Sequence, residues 1–314
     1  MTRVLVAGDA NLDLVLRGDV VPRFGQAEQL LDGADLVLGS SAGICAAGLA
    51  RLGVDTALVA RVGADVFGAR TRELLADAGV DTSAVAVTEE PTGVSVILSA
   101  PDDRAILTLT GALASLAGEE VLAALEATGA THLHVASYFL VPGLASVLPG
   151  VLTRARERGV TTSLDTNWDP AERWHGVAEC LPHLDVLLPN AQEALALARA
   201  LGDDPADAVA ASVALARRGP LVVVKDGADG GFAARPDGTV VRAAGLVLDV
   251  VDTTGAGDSF DAGFLAAWLA GRPLEEAVRW AAVAGSLSTR AAGGTGGQAR
   301  RAEVEARIAA ERLP

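Results

Sequence analysis

Short apolar runs alternate along most of this chain with alanine-rich segments of helical spacing, and that alternation is the strongest constraint on its fold. Residues 4–7, 57–62, 132–136, 161–164, 186–188 and 221–225 read as strands. Residues 43–52, 69–78, 119–128, 145–158, 191–201 and 206–217 carry apolar positions at helical spacing. That order predicts a mostly parallel sheet with helices on both faces. Two stretches depart from it, because residues 12–37 and 92–109 hold strand and turn signals but no long helix. Residues 92–98 and 105–109 flank Pro101-Asp102-Asp103 and predict a hairpin. The expectation is an α/β three-layer sandwich over residues 1–314, one domain with a mostly parallel central sheet. A small β-sheet lid would come from about residues 12–38 and 92–109.

Half of the 314 residues are hydrophobic, enough for a large core. No apolar run approaches the roughly 18 residues that a membrane-spanning helix needs. Met1-Thr2-Arg3 runs straight into the first apolar run without a charged-then-apolar leader, so the expected location is the cytoplasm. A formal net charge of -15 with no basic cluster argues against nucleic-acid binding. Lys225 is the only lysine; the other basic residues are arginine. Cys45 and Cys180 are far apart and read as two buried thiols. His132 and His134 alternate on a predicted strand and share a face, but no further ligand is spaced to join them, so they read as core.

There is no Gly-x-x-x-x-Gly-Lys-Ser/Thr loop and no Gly-x-Gly-x-x-Gly after the first strand, which excludes a P-loop and weakens a dinucleotide-binding reading. The most informative segment is Asp252-Thr253-Thr254-Gly255-Ala256-Gly257-Asp258-Ser259-Phe260. A strand-like run enters a tight glycine turn, and a helix starts near Gly257. Small residues at 255–257 let main-chain N–H groups crowd at a helix N-terminus, where the dipole favours negative charge. A transferring phosphoryl group suits that cradle. Asp258 stands at the same turn and can accept the proton of an attacking hydroxyl. The helix N-terminus should lower its pKa and leave it a weak base that mainly orients the hydroxyl. On spacing alone, a plain helix cap fits Asp258 equally well.

The same segment resembles the signature of the ribokinase-like (PfkB) carbohydrate kinases, and further matches follow in the family's order over nearly the whole chain. Gly8-Asp9-Ala10-Asn11-Leu12-Asp13 resembles the N-terminal segment, where the aspartate binds substrate hydroxyls. Gly39 through Arg51-Leu52-Gly53, then Val62-Gly63-Ala64-Asp65-Val66-Phe67-Gly68, resemble the second signature. Asn190-Ala191-Gln192-Glu193 resembles the Asn-x-x-Glu motif, and Lys225-Asp226-Gly227-Ala228-Asp229-Gly230 the nucleotide-side glycine turn. The resemblance implies an ATP-dependent kinase of a small sugar-like hydroxyl. Gly255, Ala256 and Gly257 would form the anion hole and Asp258 the base. Asn11, Asp13, Gly39, Ser40 and Ser41 would meet the sugar. Asn190, Glu193, Lys225, Gly227, Gly230 and Thr254 would serve the nucleotide. Glu193 would act on Mg²⁺ through water. In some members a monovalent cation such as K⁺ lies beside the anion hole, and Asp252 with the Thr254 carbonyl matches part of that site. Relatives dimerise through the lid; the sequence leaves this open.

Two departures bear on the acceptor. Ile44 stands where the second signature has a sugar-binding Asn, with Ser40 and Ser41 as replacement hydroxyls. The acidic residue expected after the strand near Ala136 is replaced by Ser137-Tyr138-Phe139, which puts Tyr138 forward as a substrate contact. A ribose or fructose acceptor is thereby weakened, and a sugar with an apolar portion or a nucleoside gains. The loop Asp165-Thr166-Asn167, with Trp168 and Trp174, could line the site or only pack. No cation stands in the acceptor-side signatures, although Arg104 and Arg173 could reach in, so a neutral acceptor is expected. The competing readings are a nucleoside kinase of the same family, a non-catalytic ligand-binding relative and a dinucleotide-dependent oxidoreductase.

Overall fold

The computed structural model describes residues 2–26, 28–100 and 104–311. Its strands are β1 (Arg3–Ala7), β2 (Leu12–Gly18), β3 (Leu31–Leu38), β4 (Asp55–Gly63), β5 (Val85–Thr88), β6 (Val94–Ser99) and β7 (Arg104–Leu109). They continue with β8 (His132–Val135), β9 (Thr161–Leu164), β10 (Val186–Leu187), β11 (Leu221–Lys225), β12 (Gly231–Ala234) and β13 (Val240–Ala243). Nine of them form one sheet in the order β13-β12-β11-β10-β9-β8-β1-β4-β5. The run from β11 to β5 is parallel, and β12 and β13 close one edge antiparallel.

Alternation along β1 explains the three layers. Val4 and Val6 point into one apolar core with Phe264, Trp280 and Leu49; Leu5 and Ala7 point into a second with Leu122, Leu152 and Leu215. A central strand buried on both faces has to be apolar throughout, which is why its sequence reads as an unbroken run. The expected helix at 145–158 divides into Pro142–Ala145 and Leu148–Glu157. Pro149 sits in the first turn of the second piece, where its missing N–H has no helical partner to lose.

The remaining strands form a second, four-stranded sheet in the order β3-β2-β6-β7. β2 pairs parallel with β6, and the other two pairings are antiparallel. The expected pairing of 92–98 with 105–109 is found as β6 against β7; the proposed turn Pro101-Asp102-Asp103 lies outside the described residues. Asp65 secures the start of β6, accepting hydrogen bonds from the Thr92 N–H at 2.8 Å and the Thr92 hydroxyl at 2.7 Å. Among the described residues, no helix is long and apolar enough to cross a membrane.

The chain segments leaving β1, β9, β10 and β11 meet at one edge of the main sheet. Ligands bind at such an edge in open α/β sheets.

Candidate active site

Helix Ala256–Trp268 begins at this edge. Gly255 takes φ +70°, and a Cβ there would stand 2.7 Å from the Gly294 Cα, so only glycine fits. The Ala256 N–H bonds back to the Thr253 carbonyl at 3.2 Å. That corrects one expectation, because Ala256 closes the turn and offers no free donor. The N–H groups of Gly255, Gly257 and Asp258 have no partner among the described residues and remain available to an anion at the positive end of the helix.

Asp258 is buried in the first turn of this helix, with the Ser41 side chain near its carboxylate. Its pKa is not lowered as the helix terminus alone predicts. Burial, first, and then the Asp165 carboxylate hold it well above the ordinary range, while Lys225 and Ser41 pull the other way. A dipole worth a fraction of a charge loses to desolvation and like charge at this depth. The carboxylate is therefore a stronger proton acceptor than its position suggested.

Beneath the turn, Lys225 Nζ lies 2.8 Å from Asp165 Oδ2 and 3.2 Å from Asp261 Oδ2. Burial alone would lower the lysine pKa, but the two carboxylates reverse this and raise it. The Asp165 pKa is lowered: burial is the largest influence and pushes it up, but the Lys225 charge, together with hydrogen bonds from Asp261, Lys225 and the Asn167 N–H, outweighs it. Asp261, pushed up by burial, is the member of the pair that holds a proton. The expected nucleotide-side role of Lys225 is thus divided: its stem lines the adjoining cavity, but its ammonium is turned inward. Asp165 was named only as part of a loop that could line the site, and Asp9 and Asp261 were given no role from sequence, although Asp261 stands one helical turn beyond Asp258. Asp9 accepts the Ala42 N–H at 2.9 Å at the start of helix Ser41–Arg51.

Asn190 and Glu193 form a reciprocal cap on helix Ala191–Ala200. The Glu193 N–H donates to Asn190 Oδ1 at 2.9 Å, and the Asn190 N–H donates to Glu193 Oε2 at 2.8 Å. Glu193 Oε1 has no donor among the described residues. Burial, with the nearby Asp165 charge, pushes the Glu193 pKa up to about 7. A buried carboxylate with one oxygen free of donors, near a second negative charge, suits a hydrated divalent cation, so these residues fit Mg²⁺ held through water. Asp252 accepts from the Thr254 N–H at 2.9 Å, the Thr254 hydroxyl at 2.8 Å and the Gly293 N–H at 2.8 Å. Its carboxylate works as a latch between two loops, and both of its oxygens are already engaged.

A cavity of about 420 Å³ opens beside Gly257, lined by Lys225, Gly227, Gly230, Leu246, Val250 and Ser286, among others. The expected acceptor residues gather at β2, at the end of β3 and at the start of helix Ser41–Arg51. Asn11 Nδ2 donates to Asp13 Oδ1 at 3.2 Å. Burial and then the Asp9 charge push the Asp13 pKa to about 7. Gly39 is required beside it, because a Cβ would stand 2.1 Å from Asp13 Oδ1. Ser40 takes φ +67°, and its hydroxyl accepts the Gly43 N–H at 3.2 Å, so it caps a helix. Ser41 receives a hydrogen bond from Asn167 Nδ2 at 2.8 Å, and Asn167 Oδ1 accepts the Ser137 N–H at 2.8 Å. Asn167, at φ +55°, thus orients Ser41. Ile44 packs against Gly255 and Gly294.

Tyr138 is a correction. Its ring packs edge-on against Phe139 and turns toward Gly176, Glu179 and Cys180. It lines a separate cavity of about 590 Å³ with Phe139 and Arg173, in which neither Asp13 nor Asp258 takes part. The aromatic ladder Tyr138–Phe139–Trp174–Trp168 draws it there, because edge-to-face ring packing outweighs a half-exposed place in the cleft. The small sheet contributes a cation instead: Arg104 Nη1 lies 3.1 Å from Thr254 Oγ1.

A buried acid at a glycine turn with open main-chain donors, set beside a cavity, is an arrangement suited to phosphoryl transfer. A profile of the pfkB family carbohydrate kinases matches residues 1–300. The chain belongs to this family. It is an ATP-dependent phosphotransferase with an alcohol group as acceptor. The kinase is 34% identical over 293 residues to an ATP-dependent ribose-1-phosphate kinase of Halopiger xanaduensis, covering 92% of each chain. It also matches the solved Arabidopsis thaliana ribokinase complexed with ribose and ATP (TM-score 0.80, 25% identity, 100% of each chain). A further match is the adenosine kinase of Sinorhizobium meliloti (TM-score 0.83, 27% identity, 98% of this chain and 99% of that one).

Proposed function

We propose that this kinase transfers the terminal phosphoryl group of ATP to a hydroxyl of a small sugar held between Asp258 and Asp13. The observation that carries the reading is the position of Asp258, between three open main-chain donors and a hydroxyl-binding wall. The nucleotide takes the cavity beside Gly257, where Gly227, Gly230 and the apolar wall accept the base and ribose. The N–H groups of Gly255, Gly257 and Asp258 take the charge that develops on the migrating phosphoryl oxygens. Asp258 accepts the hydroxyl proton, and Asp13 with Asn11 orients the sugar. Mg²⁺, when bound near Glu193, neutralises phosphate charge.

The four-stranded sheet acts as the lid, and Arg104 is its cation over the reacting groups. With that cation present, a phosphorylated sugar becomes an acceptor as suitable as a neutral one. A nucleoside is the second reading, favoured by the likeness to the solved adenosine kinase. The lid also supports a homodimer: β7 is an edge strand, exposed at every residue, including Ile106, Leu107 and Leu109. Light scattering on the purified protein tests this.

A coupled ADP-release screen across neutral sugars, sugar phosphates and nucleosides tests the function. Turnover is expected with at least one sugar or sugar phosphate. Turnover with nucleosides alone moves the assignment to the second reading, and silence across the panel removes both.

A further inference from the structure

Lys225 is the only lysine in a chain whose other basic residues are all arginine, and it is buried at the end of β11. Each of its ammonium protons has an acceptor: Asp165 Oδ2 at 2.8 Å, Asp261 Oδ2 at 3.2 Å and the Leu188 carbonyl at 2.6 Å. Asp165 follows β9, Leu188 follows β10, and Asp261 lies in the helix that carries the glycine turn. One side chain therefore ties three neighbouring strand ends to that helix. Its stem passes under the turn, with Cδ 3.2 Å from where a Cβ on Gly257 would stand. A planar guanidinium is too broad for that passage and cannot meet three convergent acceptors with one compact group.

We propose that Lys225 is a positioning residue for phosphoryl transfer, fixing the glycine turn and Asp258 over the strand ends and supplying the buried positive charge beneath them. The proposal rests on the reading of Asp258 as the carboxylate that receives the acceptor proton. Asp258 is faced by Asp9 beyond β1, Asp165 beyond β9, Cys45 on helix Ser41–Arg51 and Asp261 on its own helix. Against these stands the Lys225 ammonium; the exposed Arg104 guanidinium of the small sheet acts on Asp13 and Asp252 instead. Asp258 and Asp261, three residues apart, share a helix face, so a cation held by one is felt by the other. Replacing a whole buried ion pair by apolar residues costs little, whereas removing one partner leaves the other charge buried and unpaired. A purely structural lysine at this place should therefore cost stability on replacement by methionine, with no kinetic consequence in the folded variant.

Lys225→Met provides the test, with the parent enzyme assayed first on the acceptor panel. The folded variant should bind ADP within about threefold of the parent by calorimetry, while kcat falls roughly 100-fold, as misplacement of a reacting group by about 1 Å does. KM for the acceptor should change little, and the acidic limb of the pH–rate profile should move to higher pH, because Asp258 loses its cation. Lys225→Arg restores charge without shape and should recover only part of kcat. If Lys225→Met fails to fold, the double variant Lys225→Met/Asp165→Asn, which removes the cation with the acid that stays ionised beside it, carries the same expectation for kcat. A folded variant with near-parental kcat and an unmoved pH profile overturns the proposal while leaving the kinase reading intact. A parent enzyme silent on every acceptor removes both.

Discussion

Arg104 Nη1 lies 3.1 Å from Thr254 Oγ1, joining the first residue of β7 to the turn that precedes the open main-chain donors. The small sheet therefore reaches the phosphoryl-transfer region through a charged side chain. A charge-assisted hydrogen bond to phosphate contributes about 1.5–3 kcal/mol, so Arg104→Gln should lower kcat/KM by roughly 10- to 100-fold. The loss should shrink at high ionic strength. Unchanged kcat/KM at low salt would remove Arg104 from the site.

Asp258→Asn keeps the shape and removes the proton acceptor. General-base contributions are typically 10²–10⁴-fold, so kcat should fall by about that range while ADP affinity stays near that of the parent. Because burial and Asp165 hold the Asp258 carboxyl up, the acidic limb of kcat/KM should lie above the ordinary carboxylate range. A limb near pH 4 would contradict the geometry that buries it.

The apo protein should lose stability as pH rises through 7. Asp13 and Glu193 both have pKa values of about 7 in the fold, against 3.8 and 4.5 ordinarily, so the folded state keeps protons that the unfolded chain has released. Their contribution is complete below the ordinary values and disappears as pH passes 7. His132 and His134 act in the opposite sense, since burial pushes them down to about 3 and about 4 from 6.5. Their effect is complete once an unfolded histidine is neutral, so the acids act alone above about pH 7. Tm measured from pH 7 to 8.5 should fall, Glu193→Gln should flatten the fall, and Mg²⁺ should restore Tm at the alkaline end. A Tm that rises over this interval would show that these carboxyls are not held up.

Gly39→Ala should damage acceptor binding more than ATP binding. The added methyl meets Asp13 Oδ1 at 2.1 Å, so the carboxylate must move. Overpacking of this kind costs about 1–3 kcal/mol. KM for the acceptor should rise, with KM for ATP nearly unchanged; equal changes in both would point to general loosening.

Much of the fold was legible because short strand-like runs, most of them apolar, alternate with segments of helical spacing; polar residues within β8 and β9 pair with one another across the sheet. Thr161–Leu164 and Leu221–Lys225 were placed to the residue. Strands β5, β12 and β13 were missed: each is only 4 residues long, β5 and β13 lie at the sheet edges with one-sided burial, and β12, though buried throughout, reads Gly-Phe-Ala-Ala with no β-branched run. Tyr138 was misplaced because a sequence shows that an aromatic follows a strand, not which side its ring takes.

By itself, the sequence determined the alternating α/β order, the glycine turn and the candidate acid Asp258, all of which depend on neighbours close along the chain. The tertiary structure alone decided how basic that acid is, where the lysine points and which residue of the small sheet reaches the turn. Those outcomes depend on burial and on charges brought together from distant segments: Asp9, Asp165, Lys225 and Asp261 share one desolvated pocket, where like and opposite charges shift proton affinity far more than a local helix dipole does.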